Sequence, residues 1–404
     1  MISTDSSVTS QLPIKVDVLI VGGGMAGLST AYYLSQYAHL KTVLLEAKRI
    51  GHSHCSSSGE ERMYRRMYSS EYLSYLQEKS LQEWRSIEVK HNCQLLRSNG
   101  LLFYGDVWGE ETIEGSILGA KRVMEQKNIP FEEVDATAMA TRWAMKPHKD
   151  FIGLYEMSAG MVWAHKALQL FYQEALAQGV TFYQEEAVDR IIVSSPNQII
   201  VKSTKGRLFA PNKIVLAASA WTNELLAHFQ QNLELEIWSM LWGYYQVEKG
   251  EIEHFPQWFC FQKANPNTGD GGLYYGFPCH DLDSGLIKVG IDWCPPKYRT
   301  RTMADFRREP DPKLAQFLDR FLRKNWRGID KCVSLQCCPY TMTKDTLFVL
   351  DRLPQFPQVT IFTGGSGQAF KFAPILGKLL SELVLEQELS VDITPFNIQR
   401  VQLN

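Results

Sequence analysis

The run VDVLIVGGGMAGLSTAYYLSQYAHLKTVLLEAKRIG, beginning at Val16, limits what this chain can fold into more than any other stretch. VDVLIV has the β-branched apolar content of a buried parallel strand, and MAGLSTAYYLSQY carries Leu28, Ala31, Tyr32 and Leu34 at helical spacing. Between them stand Gly22, Gly24 and Gly27 as G-x-G-x-x-G. The first glycine permits a tight turn, the second lets backbone approach a pyrophosphate, and the third lets helix and strand pack closely. The helix N-terminus offers N–H groups and the positive end of its dipole to the phosphates. A second apolar strand, KTVLLE, ends in Glu46, where a carboxylate takes hydrogen bonds from ribose hydroxyls. Strand, glycines, helix, strand and acid in this order predict a dinucleotide-binding unit; a merely structural glycine turn is the alternative.

A chain of 404 residues exceeds one typical core, so two domains or a large α/β unit with insertions are expected. With 21% charged residues, a formal net charge of -2 and no basic block, it carries no nucleic-acid surface. The charge-free run from Val18 to Ala38 is long enough to suggest a membrane span, but its three-glycine cluster, Ser, Thr and Gln fit a strand, turn and helix. The opening MISTDSSVTSQLP has neither a basic segment nor an apolar one, so no export signal is expected. The 8 cysteines, at 55, 93, 260, 279, 294, 332, 337 and 338, show no C-x-x-C pair, which argues against a metal site and a disulfide framework and points to the cytoplasm. In QCCPYTMTKDT the adjacent Cys337 and Cys338 make poor partners for each other, because a bridge strains the peptide between them. Taken alone they read as two small residues packed in a strand.

The later segment GVTFYQEEAVDRIIVSSPNQIIVKSTKGRLFAPNKIVLAASAW reads as several short strands closing with KIVLAASAW. An N-terminal βαβ unit followed by such a meander is, by analogy at the level of fold, the layout of FAD-binding flavoproteins. Four further stretches are SSSGEERMYRRMY, LYYGFP with GLIKVG, CCPYTMTKD and GGSGQAFKFAPILGK. In order and spacing they resemble the monomeric sarcosine oxidase and pipecolate oxidase family, FAD-dependent amine oxidases of the D-amino-acid oxidase superfamily. The resemblance runs from Val16 to DITPFNIQR near the C-terminus. It implies an α/β, two-domain flavoprotein oxidase fold. A discontinuous Rossmann-like FAD-binding domain would take residues 1–90, 155–235 and 335–404, and a mixed-sheet substrate domain 91–154 and 236–334.

The resemblance also implies FAD held covalently by a thioether to Cys338, which matches the cysteine of a C-x-Y-T segment, with Cys337 one position before it. Such a thiol must ionise, which a nearby Arg or Lys favours. Arg62 and Arg65, at i and i+3, would point the same way from a turn or short helix. The family pattern puts Arg62 over the flavin and Arg65 on the substrate carboxylate, for which a planar fork is suited. A solvated basic face paired with Glu60 and Glu61 accounts for the same residues equally well. Lys288 sits in an apolar strand, where an isolated charge is costly. Its match in the family lies near the flavin and promotes dioxygen reduction electrostatically, whereas the plain alternative is an edge strand with a solvated lysine. GGSGQAFKF reads as a glycine turn opening a helix whose free N–H groups would face the flavin, and Lys371 matches the second carboxylate-binding residue.

Tyr275, Tyr340 and Trp242 would line the substrate cavity. Met25, Ala26, Ala47, Ser58, Val188, Gly365, Gly367 and Gln368 complete the implied cofactor contacts. Ser58, Gln368 and Asp292 stand where the family pattern has histidines. Asp292 would take a proton from an amine, hold a cationic substrate, or lie on the surface. The aromatics Trp238, Trp242, Tyr244 and Tyr245 exceed what a methyl group needs, which favours a bulkier or cyclic amino acid over sarcosine. The expected activity is oxidation of a secondary, N-alkyl or cyclic, α-amino acid to an imine by a monomer, with O2 reduced to H2O2. A dehydrogenase passing electrons to another acceptor, or a flavin-bearing protein that only binds a ligand, are the alternatives.

Overall fold

The computed structural model describes residues 12–401 apart from 107, 108, 110, 111, 196, 197 and 280; the opening stretch read above for an export signal lies, up to residue 11, outside them. Strand Ile14–Val21 runs parallel between Thr42–Leu45 and Leu208–Leu216. Helix Met25–Leu34 follows from Gly24. A Cβ on Gly27 would stand 1.8 Å from the Gly22 oxygen, and Gly22 itself has φ +109, so turn, strand and helix fit together because neither residue has a side chain. The same sheet continues through Thr181–Tyr183 on one side, and through Phe356–Thr363 and the antiparallel strands Gln198–Ser203, Val188–Ser195 and Val349–Leu353 on the other, eight strands in all. The segment KIVLAASAW is strand only to Leu216; Ala217 to Trp221 leave the sheet as a turn, with Ser219 at φ +50.

A nine-stranded sheet forms the second layer system. Its order is Arg299–Thr300, Glu236–Val247, Leu286–Ile291, Leu273–Phe277, Trp258–Phe261, Leu101–Gly105, Ile152–Glu156 and Glu132–Asp135, with Ile329–Met342 also on Glu236–Val247. The strand carrying Lys288 is interior to this sheet, paired on both sides, so the solvated edge-strand reading of GLIKVG does not hold. Its core is aromatic: Trp258 and Trp326 are fully buried with ring centroids 5.0 Å apart. A third sheet of three strands, Glu61–Tyr64, Gly160–Trp163 and Leu96–Ser98, brings the first arginine motif to the junction.

The ladder between Glu236–Val247 and Ile329–Met342 is continuous from Glu236↔Met342 to Tyr244↔Ser334. The expected boundary at 335 therefore cuts through one strand of the nine-stranded sheet, and the one at 154 cuts Ile152–Glu156. Composition marks neither break, because both lie inside strands. Among the described residues no helix is long and apolar enough to cross a membrane.

Candidate active site

Two cavities meet where the sheets face each other. The larger, about 640 Å³, lies at the carboxyl ends of the parallel strands and is lined by Gly22, Gly24, Met25, Ala26, Glu46, Ala47 and Val188, with the turn Ala217 to Ser219 closing one side. The smaller, about 140 Å³, holds Ser58, Arg62, Arg65, Trp242, Tyr275, Lys288, Asp292, Cys338, Tyr340, Gly365, Gly367, Gln368 and Lys371. Of the residues expected to bind cofactor or substrate, all but Gly27 line one cavity or the other, and Gly27 packs under the turn instead; of the four aromatics read as enlarging the substrate cavity, only Trp242 lines it, while Trp238 and Tyr245 pack in the core of the nine-stranded sheet and Tyr244 lines neither cavity. Met25, Ser56, Ser57, Ser219, Gly365 and Ala369 line both and form the neck between them.

The larger cavity fits a dinucleotide on its own geometry. A Cβ at Gly22 would stand 2.5 Å from the Ala217 oxygen, so the cradle exists only for glycine. The helix starting at Met25 has no side-chain cap from its own N-cap residue, Gly24. Glu46 accepts from the Gly23 N–H at 2.6 Å and the Lys48 N–H at 2.7 Å, which fixes its carboxylate at the cavity wall. Burial pushes its pKa up, but the bonds from His52, Gly23 and Lys48 prevail and hold it below the usual carboxylate range.

In the smaller cavity the expected turn or short helix around the arginines is a strand. Arg62 lies within Glu61–Tyr64, and Arg65 follows its end, so both side chains reach one cavity because the strand stops between them. Three backbone oxygens pin the Arg62 guanidinium: Glu61 at 2.8 Å, Ser56 at 2.8 Å, and Ser58. Cys338 and Cys337 are successive residues of one strand and face opposite ways. Cys338 lines the cavity; Cys337 packs with Ala220, Ile237 and Phe306 on the other side. Burial pushes the Cys338 thiol up to about 11, against the pull of Arg62 and Lys288. The two cations expected beside this thiol are present, and burial outweighs them.

Near Gly365 the N–H groups of Gln368 and Ala369 go to the Gly365 oxygen at 2.9 and 3.1 Å, and that of Ser366 goes to Thr341 at 2.9 Å. The expected row of free donors is accordingly shorter than the glycine pattern suggests. Lys371 lies in the 3₁₀ turn Ala369–Phe372 that precedes helix Ala373–Val384, and its carbonyl accepts from Ser80 at 2.8 Å and from the Trp84 indole at 2.9 Å. Burial and then the Arg65 charge hold the Lys371 ammonium down at about 7, with Glu114 and Asp292 opposing. Asp292 is 4% exposed, which excludes the surface reading, and its Oδ2 accepts no hydrogen bond from the described residues. Burial raises its pKa well above the carboxylate range; Glu114 adds to this, while Arg65 and Lys371 oppose it.

Two acids were missed. Glu114 ion-pairs with Arg65, both side chains being under 10% exposed, yet GEETIEG offers no motif that marks it. Glu61 was read as half of a solvated face and is fully buried, 3.6 Å from Lys288. The signal for it was the buried lysine itself, which requires a counter-charge.

A glycine-cradled dinucleotide cavity opening into a small charged one defines an oxidoreductase that works with a bound dinucleotide. The chain belongs to the FAD dependent oxidoreductase family, whose model matches residues 17–383. It is 28% identical over 394 residues to a peroxisomal sarcosine oxidase from Homo sapiens, across 95% of this chain and 96% of the relative. It is 27% identical over 396 residues to an N-methyl-L-tryptophan oxidase from Salmonella arizonae, across 96% and 99%. Among solved structures, NikD, described as an unusual amino acid oxidase essential for nikkomycin biosynthesis, superposes with a TM-score of 0.88 at 24% identity, covering 97% of this chain and 98% of that one. The expected membership of the sarcosine oxidase family and the two-domain flavoprotein fold are borne out.

Proposed function

We propose that the protein oxidises a secondary α-amino acid, N-alkylated or cyclic, to its imine, with dioxygen as acceptor and hydrogen peroxide as product, acting as a monomer in the cytoplasm. The observation that carries this is one small cavity lined by Arg65 and Lys371, whose charges act on each other, and by Arg62 and Lys288, whose charges act on Cys338. Two of the proteins named above are, by their names, oxidases of sarcosine and of N-methyl-L-tryptophan, both N-methyl amino acids. Flavin attachment is through Cys338, whose side chain faces the cavity, rather than Cys337, whose side chain faces away. The eight-stranded sheet serves the cofactor and the nine-stranded sheet the substrate, the cysteine strand included.

In this reading the Arg65 fork and Lys371 hold the substrate carboxylate, Arg65 exchanging Glu114 for it. Asp292, whose burial strengthens its hold on a proton, takes the ammonium proton at Oδ2, leaving a neutral amine. Tyr275, Tyr340, Trp242 and Phe259 surround the carbon chain, exclude water and orient the C–H to be broken. FAD held by the glycine cradle and Cys338 would supply a hydride acceptor that dioxygen can reoxidise. Lys288 places a positive charge where dioxygen is reduced.

An anaerobic screen of N-methyl and cyclic amino acids tests the proposal. Bleaching of the flavin under nitrogen, followed by peroxide when oxygen is admitted, is expected. No bleaching with any secondary amino acid would sink the substrate class, and bleaching without peroxide would make the protein a dehydrogenase.

A further inference from the structure

Behind Lys288 stands a side chain that no feature of the expected site includes. Glu61 is 0% exposed and does not line either cavity, whereas its neighbour Arg62 does, as alternation along Glu61–Tyr64 requires. Its Oε1 lies 3.6 Å from Lys288 Nζ, which also donates to the Glu61 carbonyl at 3.3 Å. Neither carboxylate oxygen accepts a hydrogen bond from the described residues. A buried carboxylate normally spends its charge on several donors; among the described residues this one ion-pairs with Lys288 alone.

The lysine is equally confined. The Trp242 and Phe277 ring centroids are 4.9 and 5.0 Å from Nζ. The titratable and charged groups that face it are Glu61 and Arg62 from the short strand, Cys338 from Ile329–Met342, and Tyr244, its register partner on Glu236–Val247. Burial and then Arg62 favour the neutral amine; Glu61 is the larger influence opposing them, and Cys338 the smaller.

We propose that Glu61 is a positioning residue for the oxygen side of the reaction, fixing Lys288 Nζ at the cavity wall and keeping it charged among apolar rings. This rests on the reading of Lys288 as the cation beside which dioxygen is reduced. A purely structural pair would stabilise the fold without bearing on the rate of reaction with oxygen.

Two measurements on the holoenzyme test it. In urea unfolding, Lys288→Met strands a buried carboxylate and lowers the midpoint, and adding Glu61→Gln to that variant restores it at least in part. In stopped flow, the dithionite-reduced enzyme is mixed with oxygenated buffer across a pH series. The wild-type rate falls as Lys288 loses its proton. With Glu61→Gln the midpoint of that fall drops by about one to three pH units, the effect of an opposite charge at this range. Glu61→Asp, which retreats by one methylene, gives a smaller drop and carries this arm if Glu61→Gln yields no holoenzyme. Superimposable pH profiles for wild type and the Glu61 variants overturn the proposal, as does a double variant no more stable than Lys288→Met. If the wild type does not reoxidise in oxygen, the oxidase reading fails, while the unfolding comparison still decides whether the two side chains are coupled.

Discussion

Binding a carboxylate between Arg65 and Lys371 should draw a proton out of solvent. Burial and the Arg65 charge hold the Lys371 ammonium at about 7. An anion beside it favours the charged form and raises that value. At pH 8 roughly one lysine in ten is charged before the ligand arrives and nearly all afterwards, so complex formation takes up about 0.9 proton. Between pH 8 and pH 9 the charged fraction falls about tenfold, and Kd rises by the same factor, ~1.4 kcal/mol. The probe is a cyclic carboxylate with no amine, so that the ligand itself does not titrate. Calorimetry in phosphate and in Tris, whose ionisation heats differ, reads the proton directly, and flavin absorbance reads Kd. Asp292 shares the cavity and titrates abnormally, so Asp292→Asn is the control: it should keep the buffer dependence, whereas Lys371→Met should abolish it. A Kd that stays flat over this range, with heats independent of buffer, would refute the assignment of Lys371 to the carboxylate.

Three shorter predictions follow from the same geometry. Acid precipitation of Cys338→Ala should leave the yellow colour in the supernatant, whereas Cys337→Ala should keep it in the pellet; the reverse would mean that the strand register is off by one. Arg65→Lys loses one arm of a charge-assisted fork, about 1.5–3 kcal/mol, so KM should rise roughly 13- to 160-fold, measured by steady-state kinetics. Gly27→Ala puts a Cβ 1.8 Å from the Gly22 oxygen, so the purified protein should carry little flavin by absorbance, and normal loading would show that turn and helix can separate without harm.

The glycine run was legible because everything it specifies is local: a strand, a turn, a helix and an acid within about 30 residues. Lys288 was legible for the opposite reason, as a charge in an apolar strand that needed a task. The arginine pair was only half legible. Spacing at i and i+3 suits a turn or short helix, and the strand that formed instead depends on pairing with Gly160–Trp163, far along the chain. Glu61 was placed on a solvated face because its partner lies 227 residues away. Glu114 had no pattern at all, since its only mark is the guanidinium it meets. The two cysteines illustrate the limit most simply: alternation says that they face opposite ways, the resemblance names Cys338, and the fold shows it lining the cavity.

The neck between the two cavities also sets a clock. It joins Met25, Ser56 and Ser57 to Gly365 and Ala369, so the first and last parts of the chain must both be present before the cofactor can be enclosed. A ribosome adding 5–20 residues each second needs roughly 20–70 s to travel from the glycine cradle to the closing turn. During that interval the cradle is exposed beside an unfinished sheet, whose central strand still lacks the Leu208–Leu216 neighbour for much of the time. Full enclosure of the flavin thus waits for the closing turn, late in the synthesis of each molecule.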